Sequence, residues 1–472
     1  MSLNLGNGNV TFGDGTIQST TYTPRTIKKI MKGFADFHAL TSDNKIYGWG
    51  YNSHGGVGDG TTTNTIVTEI LFPETGAISD MCSINNSKYV LFANGNLYAW
   101  GYNGYGQLGF GDVTARYFPT LTLTGVSQLY YPDNHRDYTG DNAPEISIHI
   151  KKTDGTFWCC GHNGHGELAN GTTTNSSVWI ALTPPTSKTI STIWKGSNTG
   201  TSLFCRTTDN LIYSIGYNTQ GQLGIGNVTQ QNSWAQVAYF NATVGADIVD
   251  IQTGSYYYAP PSGGEHHWTA VFTASGNIYT CGNNAYGQLG DGTLTTRSTF
   301  AQVSLTKPVK KMIRGYNCIY VIFTDNLYAR WGSNEYGQLG NGTTTTSSTP
   351  IYSAAGDTAL DVFICSRSGA YGPWCEVFIK KSLGIYVCGY NGNGTMGTGI
   401  TTGNVSTQTL IYINENPVDL VDVLITGFST VTSCLFFSNS NEVFVCGQNV
   451  ESELGVMPNF GEKYTFRSLS FP

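Results

Sequence analysis

The chain has 472 residues, but only 12% are charged, against about a quarter in an average globular domain. The net charge is −7 and no basic run is longer than Lys310–Lys311, so the sequence lacks the basic patch through which nucleic-acid binders neutralise phosphates. With 59 glycines, 13% aromatic residues and no apolar run near the roughly 20 residues of a membrane span, the composition points to an all-β protein with a neutral polar surface and no membrane insertion.

The first predicted element is a hairpin. A strand over Asn9–Phe12 and a second over Thr16–Tyr22 flank a Gly13-Asp14-Gly15 turn, and Pro24 ends the segment. Such a hairpin is too small to be stable alone, so residues 1–24 are expected to dock on something else, with Val10, Phe12, Ile17 and Tyr22 as candidate attachment residues. The wording "NVTFGDGTIQSTTY" resembles a short motif, roughly I-T-F-x-D-G-T-x-Q-T-T-A, of bacteriophage tail-fibre and other appendage proteins; it departs from that motif at Ser19 and Tyr22. The resemblance implies a place on a virion, other virion proteins as partners, and the homotrimer common among fibres. The start of the chain has neither the positive nor the apolar region of a signal peptide, so ordinary secretion is not expected.

From residue 25 onward one sentence recurs. It reads "GWGYNSHGGVGDG" at 48–60, "AWGYNGYGQLGFG" at 99–111, "CCGHNGHGELANG" at 159–171 and "SIGYNTQGQLGIG" at 214–226. It returns as "TCGNNAYGQLGDG" at 280–292, "RWGSNEYGQLGNG" at 330–342, and more loosely at 387–399 and 445–457. All eight copies keep Gly-x-Asn, from Gly50/Asn52 to Gly447/Asn449. Gly104, Gly106 and Gly109 spell G-x-G-x-x-G, but a dinucleotide loop occurs once, between a strand and a helix. Here the glycines recur and "GTTTN"-type loops follow, so no cofactor is expected.

Each Gly-x-Asn follows a β-rich run such as "NLYAW" or "EVFVC", and a second such run lies about 20 residues upstream. The glycine is read as allowing positive φ or close backbone approach, and the asparagine as closing an Asx-turn on its own backbone. The leucines of Gln-Leu-Gly (Leu108, Leu223, Leu289, Leu339) are expected to plug into a neighbouring unit. Four-stranded units repeated around an axis make a β-propeller over residues 25–472. The pattern W-G-x-N-x-x-G-Q-L-G resembles the regulator of chromosome condensation repeat family. Eight anchors favour eight blades; a seven-bladed ring with one divergent end unit, the usual family number being seven, is the alternative.

Cys160, Cys281, Cys388 and Cys446 fill the slot of Trp49 and Trp100, which reads as core. The eleven cysteines contain no C-x-x-C pair, and their odd, scattered arrangement argues against a disulfide framework. His162 and His165 stand where Tyr102 and Tyr105 stand one copy earlier, so they read as repeat substitutions rather than a metal pair. Adjacent His266 and His267 would point to opposite faces of a strand. No catalytic motif is found, and neither an enzyme nor a metal site is expected.

Anchor spacing is 50 or 51 in the plainest copies but 60, 66 and 57 before Gly161, Gly282 and Gly389. The extra segments, 131–144, 255–268 and 366–375, all follow the upstream strand and so extend one face. Candidate binding residues there are Tyr131, His135, Arg136 and Tyr138; Tyr256, Tyr257, Tyr258 and His266; and Tyr371 and Trp374. Tyr and Trp suit recognition of a protein or sugar, although such loops could merely cover blade ends, with Trp374 tucked into the rim. The first functional reading is therefore a non-enzymatic virion adhesin that presents this face to a host receptor or glycan. The alternatives are an intracellular propeller scaffold or regulator of a small GTPase, as the repeat resemblance implies, and a capsid decoration protein.

Overall fold

The computed structural model describes residues 9–11, 17–19, 26–33, 35–131, 137–138, 146–196, 202–257, 265–369, 372–392, 394–398, 403–411, 420–426, 433–438, 443–447 and 463–469. Asn9–Thr11 and Ile17–Ser19 pair antiparallel, with Val10 opposite Gln18 and Ile17 opposite Thr11. Phe12 and Tyr22 lie outside the described residues.

Eight four-stranded antiparallel sheets follow, each built from strands consecutive in sequence apart from one two-residue addition. These are the blades of an all-β propeller, and they match the eight repeats. Blade 1 comprises Ile27–Lys32, Asp36–Thr41, Ile46–Gly50 and Thr65–Ile70. The first strands of the other blades are Ile78–Ile84, Val126–Tyr130, Ile190–Lys195, Ile248–Tyr257, Val309–Arg314, Asp361–Gly369 and Leu420–Thr426. First strands of neighbouring blades approach one another, which places them on the inside of the ring. The only helix among the described residues is one short turn, Ala242–Asp247, capped by the Asn241 side chain, which accepts from the Thr243 and Val244 N–H groups.

The anchor glycine lies at or next to the end of each third strand. In six blades it sits opposite the first residue of the second strand, as in Gly101 with Ser87, and in blades 5 and 7, where that hairpin is longer, opposite Trp268 and Glu376. Gly101 needs its lack of a side chain twice over. Its φ is +93°, and a Cβ would lie 2.0 Å from the Asn86 carbonyl oxygen. The asparagine works differently from the expected Asx-turn. Asn103 is fully buried; its Oδ1 accepts from the Leu108 N–H at 2.9 Å and its Nδ2 donates to the carbonyls of Asp112 and Thr114 at 3.0 and 3.1 Å. It thus clamps the ensuing loop at three points, as do Asn52, Asn163, Asn218, Asn284 and Asn334 in their copies. A side chain bonded only to its own backbone could not hold so long a loop.

That clamp aims the leucine across the blade boundary. Leu108 packs with Ile148 and Cys160 of blade 3, Leu223 with Val271 and Cys281 of blade 5, and Leu289 with Ile319 and Trp331 of blade 6. In six blades the residue before the anchor glycine completes the junction with a hydrogen bond to the preceding blade, whereas in blade 4 Ile215 fills the slot by packing alone. Trp100 Nε1 donates to the Gly56 carbonyl at 2.9 Å and Trp331 Nε1 to that of Gln288 at 3.0 Å. Where cysteine takes the slot, the thiol donates to the same place: Cys160 to Gln107, Cys281 to Gln222, Cys388 to Gln338 and Cys446 to Thr395. The core reading of these cysteines therefore holds. The ring closes where Leu435 and Val445 of blade 8 pack on Ile30, Phe37 and Trp49 of blade 1.

Two of the three glycines of the G-x-G-x-x-G stretch, Gly106 and Gly109, are contact points for the next blade. A Cβ on Gly106 would lie 2.3 Å from Ser177 Cα, and one on Gly109 would lie 2.2 Å from Trp179 Nε1.

Candidate functional site

In every blade the end of the first strand, the start of the second and the end of the third meet at one rim, because the strands alternate in direction. The three extra segments and the Gly-x-Asn loops therefore share a face. The second segment lengthens a hairpin of blade 5 as far as Tyr257 opposite Glu265, and the third lengthens one of blade 7 as far as Gly369 opposite Gly372. From the first segment, Asp137–Tyr138 pairs in parallel with Ser366 and Arg367 of blade 7, opposite blade 3 in the ring of eight.

Two positions of the repeat face that rim, one between Gly and Asn and the other four residues after the glycine. Blades 1 to 3 carry a ring at both, and blades 4 to 7 at one, Tyr217, Tyr286, Tyr336 and Tyr390. From blade 1 to blade 4 the second ring of one blade meets the first ring of the next. His54 meets Tyr102 with centroids 5.3 Å apart, Tyr105 meets His162 at 5.4 Å and His165 meets Tyr217 at 4.7 Å. Between blades 4 and 5 a hydrogen bond replaces the ring contact, Asn283 Nδ2 donating to Gln220 Oε1 at 3.1 Å. At the boundary of blades 5 and 6 the first position is Ser333 and Tyr286 packs on His266 of its own blade, and beyond it Tyr336 meets Tyr390 at 5.6 Å. All these rings are half-buried, so each shows an edge or face to solvent while its neighbours fix it. The result is a belt of pre-oriented aromatic and imidazole groups along the rim of blades 1 to 4, with a further pair at blades 6 and 7.

The histidines have definite places in it. His162 Nδ1 is 2.5 Å from Glu167 Oε1, and the other oxygen of that buried carboxylate accepts from the His165 N–H at 2.9 Å. Tyr105, Gln220, Tyr286 and Tyr336 give the same backbone N–H to a glutamine, so Glu167 is a charged version of a recurring contact. His266 and His267 do face opposite sides: His266 stacks edge-on to Tyr286 and His267 to Tyr217. Burial lowers the His266 pKa, against a hydrogen bond with Asn283 that raises it. Among the described residues no group of three His, Cys, Asp or Glu side chains could hold a metal ion.

The other candidates divide. Trp374 is 5% exposed and stacks on Tyr390 with centroids 4.9 Å apart, so it supports the belt from beneath, tucked into the rim. Tyr131 turns into the channel: its hydroxyl lies 3.1 Å from Lys29 Nζ and 3.2 Å from Asp80 Oδ1. Lys29, Asp80 and Tyr131 thereby tie blades 1, 2 and 3 together at the axis, beside a cavity of about 350 Å3 also lined by Trp194, Asp250 and Arg314. Lys195 lines the same cavity; burial lowers its pKa to about 8, against the nearby Glu167 carboxylate. Tyr138, Tyr256 and Tyr257 lie on described strands, without their side chains, and His135, Arg136, Tyr258 and Tyr371 lie outside the described residues. Sequence reasoning missed the belt itself. Its signal was present in the recurring Tyr or His at two fixed offsets from the anchor glycine, which was credited to repetition alone.

With repeat, ring and rim in place, comparison with known proteins becomes informative. Residues 94–127 and 275–320 match the regulator of chromosome condensation (RCC1) repeat. Each matched stretch runs from one blade into the next, so it contains the loop, the plugging leucine and the strand that follows. The chain is similar to the ultraviolet-B receptor UVR8 of Arabidopsis thaliana, 28% identical over 58% of this chain and 56% of that protein. It is also similar to the human E3 ubiquitin-protein ligase HERC2, 26% identical over 57% of this chain but only 5% of that protein. The similarity thus spans about half the length of UVR8 and a small part of HERC2. Among solved structures, Prp20p of Saccharomyces cerevisiae aligns over 75% of this chain and 82% of its own with a TM-score of 0.53 and 18% identity. Human WBSCR16 aligns over 80% and 94%, with a TM-score of 0.52 and 17% identity. These two likenesses concern the fold.

Proposed function

We propose that this protein is a non-catalytic interaction scaffold and that its RCC1-type propeller binds a partner protein on the aromatic rim. The observation that carries this reading is the belt of ring pairs from His54 to Tyr217, with the further pair of Tyr336 and Tyr390 on the same rim. Rigid, half-exposed rings offer contact area at little cost in conformational entropy, and Tyr and Trp are enriched among residues that dominate interface energies. The scaffold alternative takes first place because the similar proteins are an ultraviolet-B receptor, an E3 ubiquitin-protein ligase and Prp20p, the last described with its binding to Gsp1p and histones. They do not bear on a virion role, in which the same rim would meet a host receptor or glycan.

The test is affinity capture from extract of the source cells, using wild type, a Tyr105→Ala/Tyr217→Ala variant, and a Leu71→Ser/Leu383→Ser variant altered at exposed positions on the opposite rim. A protein partner should be retained by wild type and the opposite-rim variant, and reduced at least about tenfold by the belt variant, as for loss of interface anchors. A partner indifferent to the belt change would sink the reading. Retention of glycans alone would return the host-surface reading to the front.

A further inference from the structure

Blades 1 and 2 meet at a polar group unlike that of the next junctions. Asp36 begins the second strand of blade 1, where blades 2, 3 and 4 have Ser87, Ser147 and Ser202. Lys88 is second in that strand of blade 2, where blades 3 and 4 have Ile148 and Leu203. Asp36, Lys88 and the nearby His38 are each 0% exposed. Space for them comes from two glycines. Gly56 stands where the later copies carry Gln, Glu or, in blade 7, Thr395, and a Cβ there would be 3.0 Å from Asp36 Oδ2. A Cβ on Gly33 would be 2.6 Å from Lys88 Nζ and 2.7 Å from Asp36 Cγ.

The contacts within this group are incomplete for an ion pair. Lys88 Nζ is 3.1 Å from Asp36 Oδ2 but off the angles of a hydrogen bond, and neither carboxyl oxygen has a hydrogen-bond partner. The amine donates instead to the Asn85 carbonyl at 3.1 Å. His38 Nε2 is 3.0 Å from the Val57 carbonyl oxygen, which can only accept, so Nε2 carries the ring proton. That leaves Nδ1 as a bare acceptor, unpartnered and 3.6 Å from Asp36 Oδ1. Burial raises the Asp36 pKa and lowers that of Lys88, each partly offset by the other, while burial and the Lys88 charge bring His38 down to about 3. A buried ion pair recovers its desolvation cost only when its hydrogen bonds are complete. The neutral forms are a carboxylic acid and a free amine within van der Waals reach, beside a basic ring nitrogen.

We propose that Lys88 and Asp36 become joined by an intramolecular amide bond linking blades 1 and 2. The Nζ lone pair attacks Asp36 Cγ; the new C–N bond forms and the bond from Cγ to Oδ1 breaks. Oδ1 leaves as water, with the carboxyl proton and one proton from the amine, which His38 Nδ1 accepts and passes on. The reaction is a condensation: nothing is oxidised or reduced, and no co-reactant is required. Holding the reacting groups about 3 Å apart in a site that excludes water is the condition under which such a step gains most from proximity.

Mass spectrometry of the folded full chain, with a tryptic digest, tests this. The linked protein is about 18 Da lighter than its sequence, one water, with the deficit on joined peptides carrying Asp36 and Lys88. A Lys88→Met variant, which keeps an unbranched side chain and removes the nucleophile, should show its full sequence mass and give separate peptides. Separate, unmodified Asp36 and Lys88 peptides from wild type would overturn the proposal. Because the wild-type digest decides on its own, the reading does not depend on whether the variant folds.

Discussion

At the scale of single residues, stability concentrates in buried polar groups that serve the loops. Asn103 satisfies one N–H and two carbonyls from a fully buried position, so Asn103→Ala leaves all three without this partner. Each buried unsatisfied group costs about 1–3 kcal/mol, and a loss of about 3 kcal/mol in chemical denaturation is the expected result. A change below about 1 kcal/mol would mean that water takes over the clamp. His149 gives a pH signature. Burial brings its pKa down to about 3, with help from the Lys195 charge and against its bond with the Glu167 carbonyl. The unfolded chain protonates near 6.5, so below that pH it binds the proton that the folded chain refuses. The contribution is therefore fully present above about pH 6.5 and is lost as the pH falls towards 3, by up to about 1.4 kcal/mol per pH unit. Tyr89 and Tyr320 occupy the same slot and donate to the same carbonyl in their blades. His149→Tyr should therefore fold and, between pH 6.5 and 5, lose about 2 kcal/mol less than wild type. Equal losses in the two proteins would assign the titration elsewhere.

At the scale of elements, what could be read from the sequence was what repeats. Eight Gly-x-Asn copies marked eight third strands because only glycine fits φ > 0 against a carbonyl, and the Trp-or-Cys slot was legible because both residue types bury and donate. All eleven thiols are free and buried. Burial raises the pKa of most of them, including Cys160, Cys205 and Cys281, so a thiol reagent at pH 8 should label none in the folded protein and all of them in denaturant. Fast labelling of the native chain would contradict the packing described. Less legible was what depends on two blades at once. Tyr131 looked like the start of an outward loop, yet the first strand of blade 3 carries it on into the channel, to Lys29 and Asp80. The belt escaped because its contacts join residues some 50 positions apart, and each member looks ordinary within its own copy. The Asn clamp was misjudged for a related reason: an Asx-turn needs only local chain, whereas the clamp needs the loop to return.

At the scale of the whole molecule, the ring is held by eight side-chain junctions, one of which brings the last blade back to the first. Leu435 is buried at that seam against blade 1. Leu435→Ala should cost about 2–5 kcal/mol, as for a large-to-small change in a core. Hydrogen exchange should then rise in the strands of blade 1 as well as in those of blade 8, because the two share one cluster. Protection lost only in blade 8 would mean that the ring does not act as a unit. No blade draws its four strands from both ends of the chain, so closing the circle needs complementary surfaces and no shared backbone ladder. A molecule built this way resembles a clasped bracelet more than a welded hoop. Links can be duplicated, lost or exchanged between genes without cutting a sheet, and each new circumference has only to find a clasp that fits.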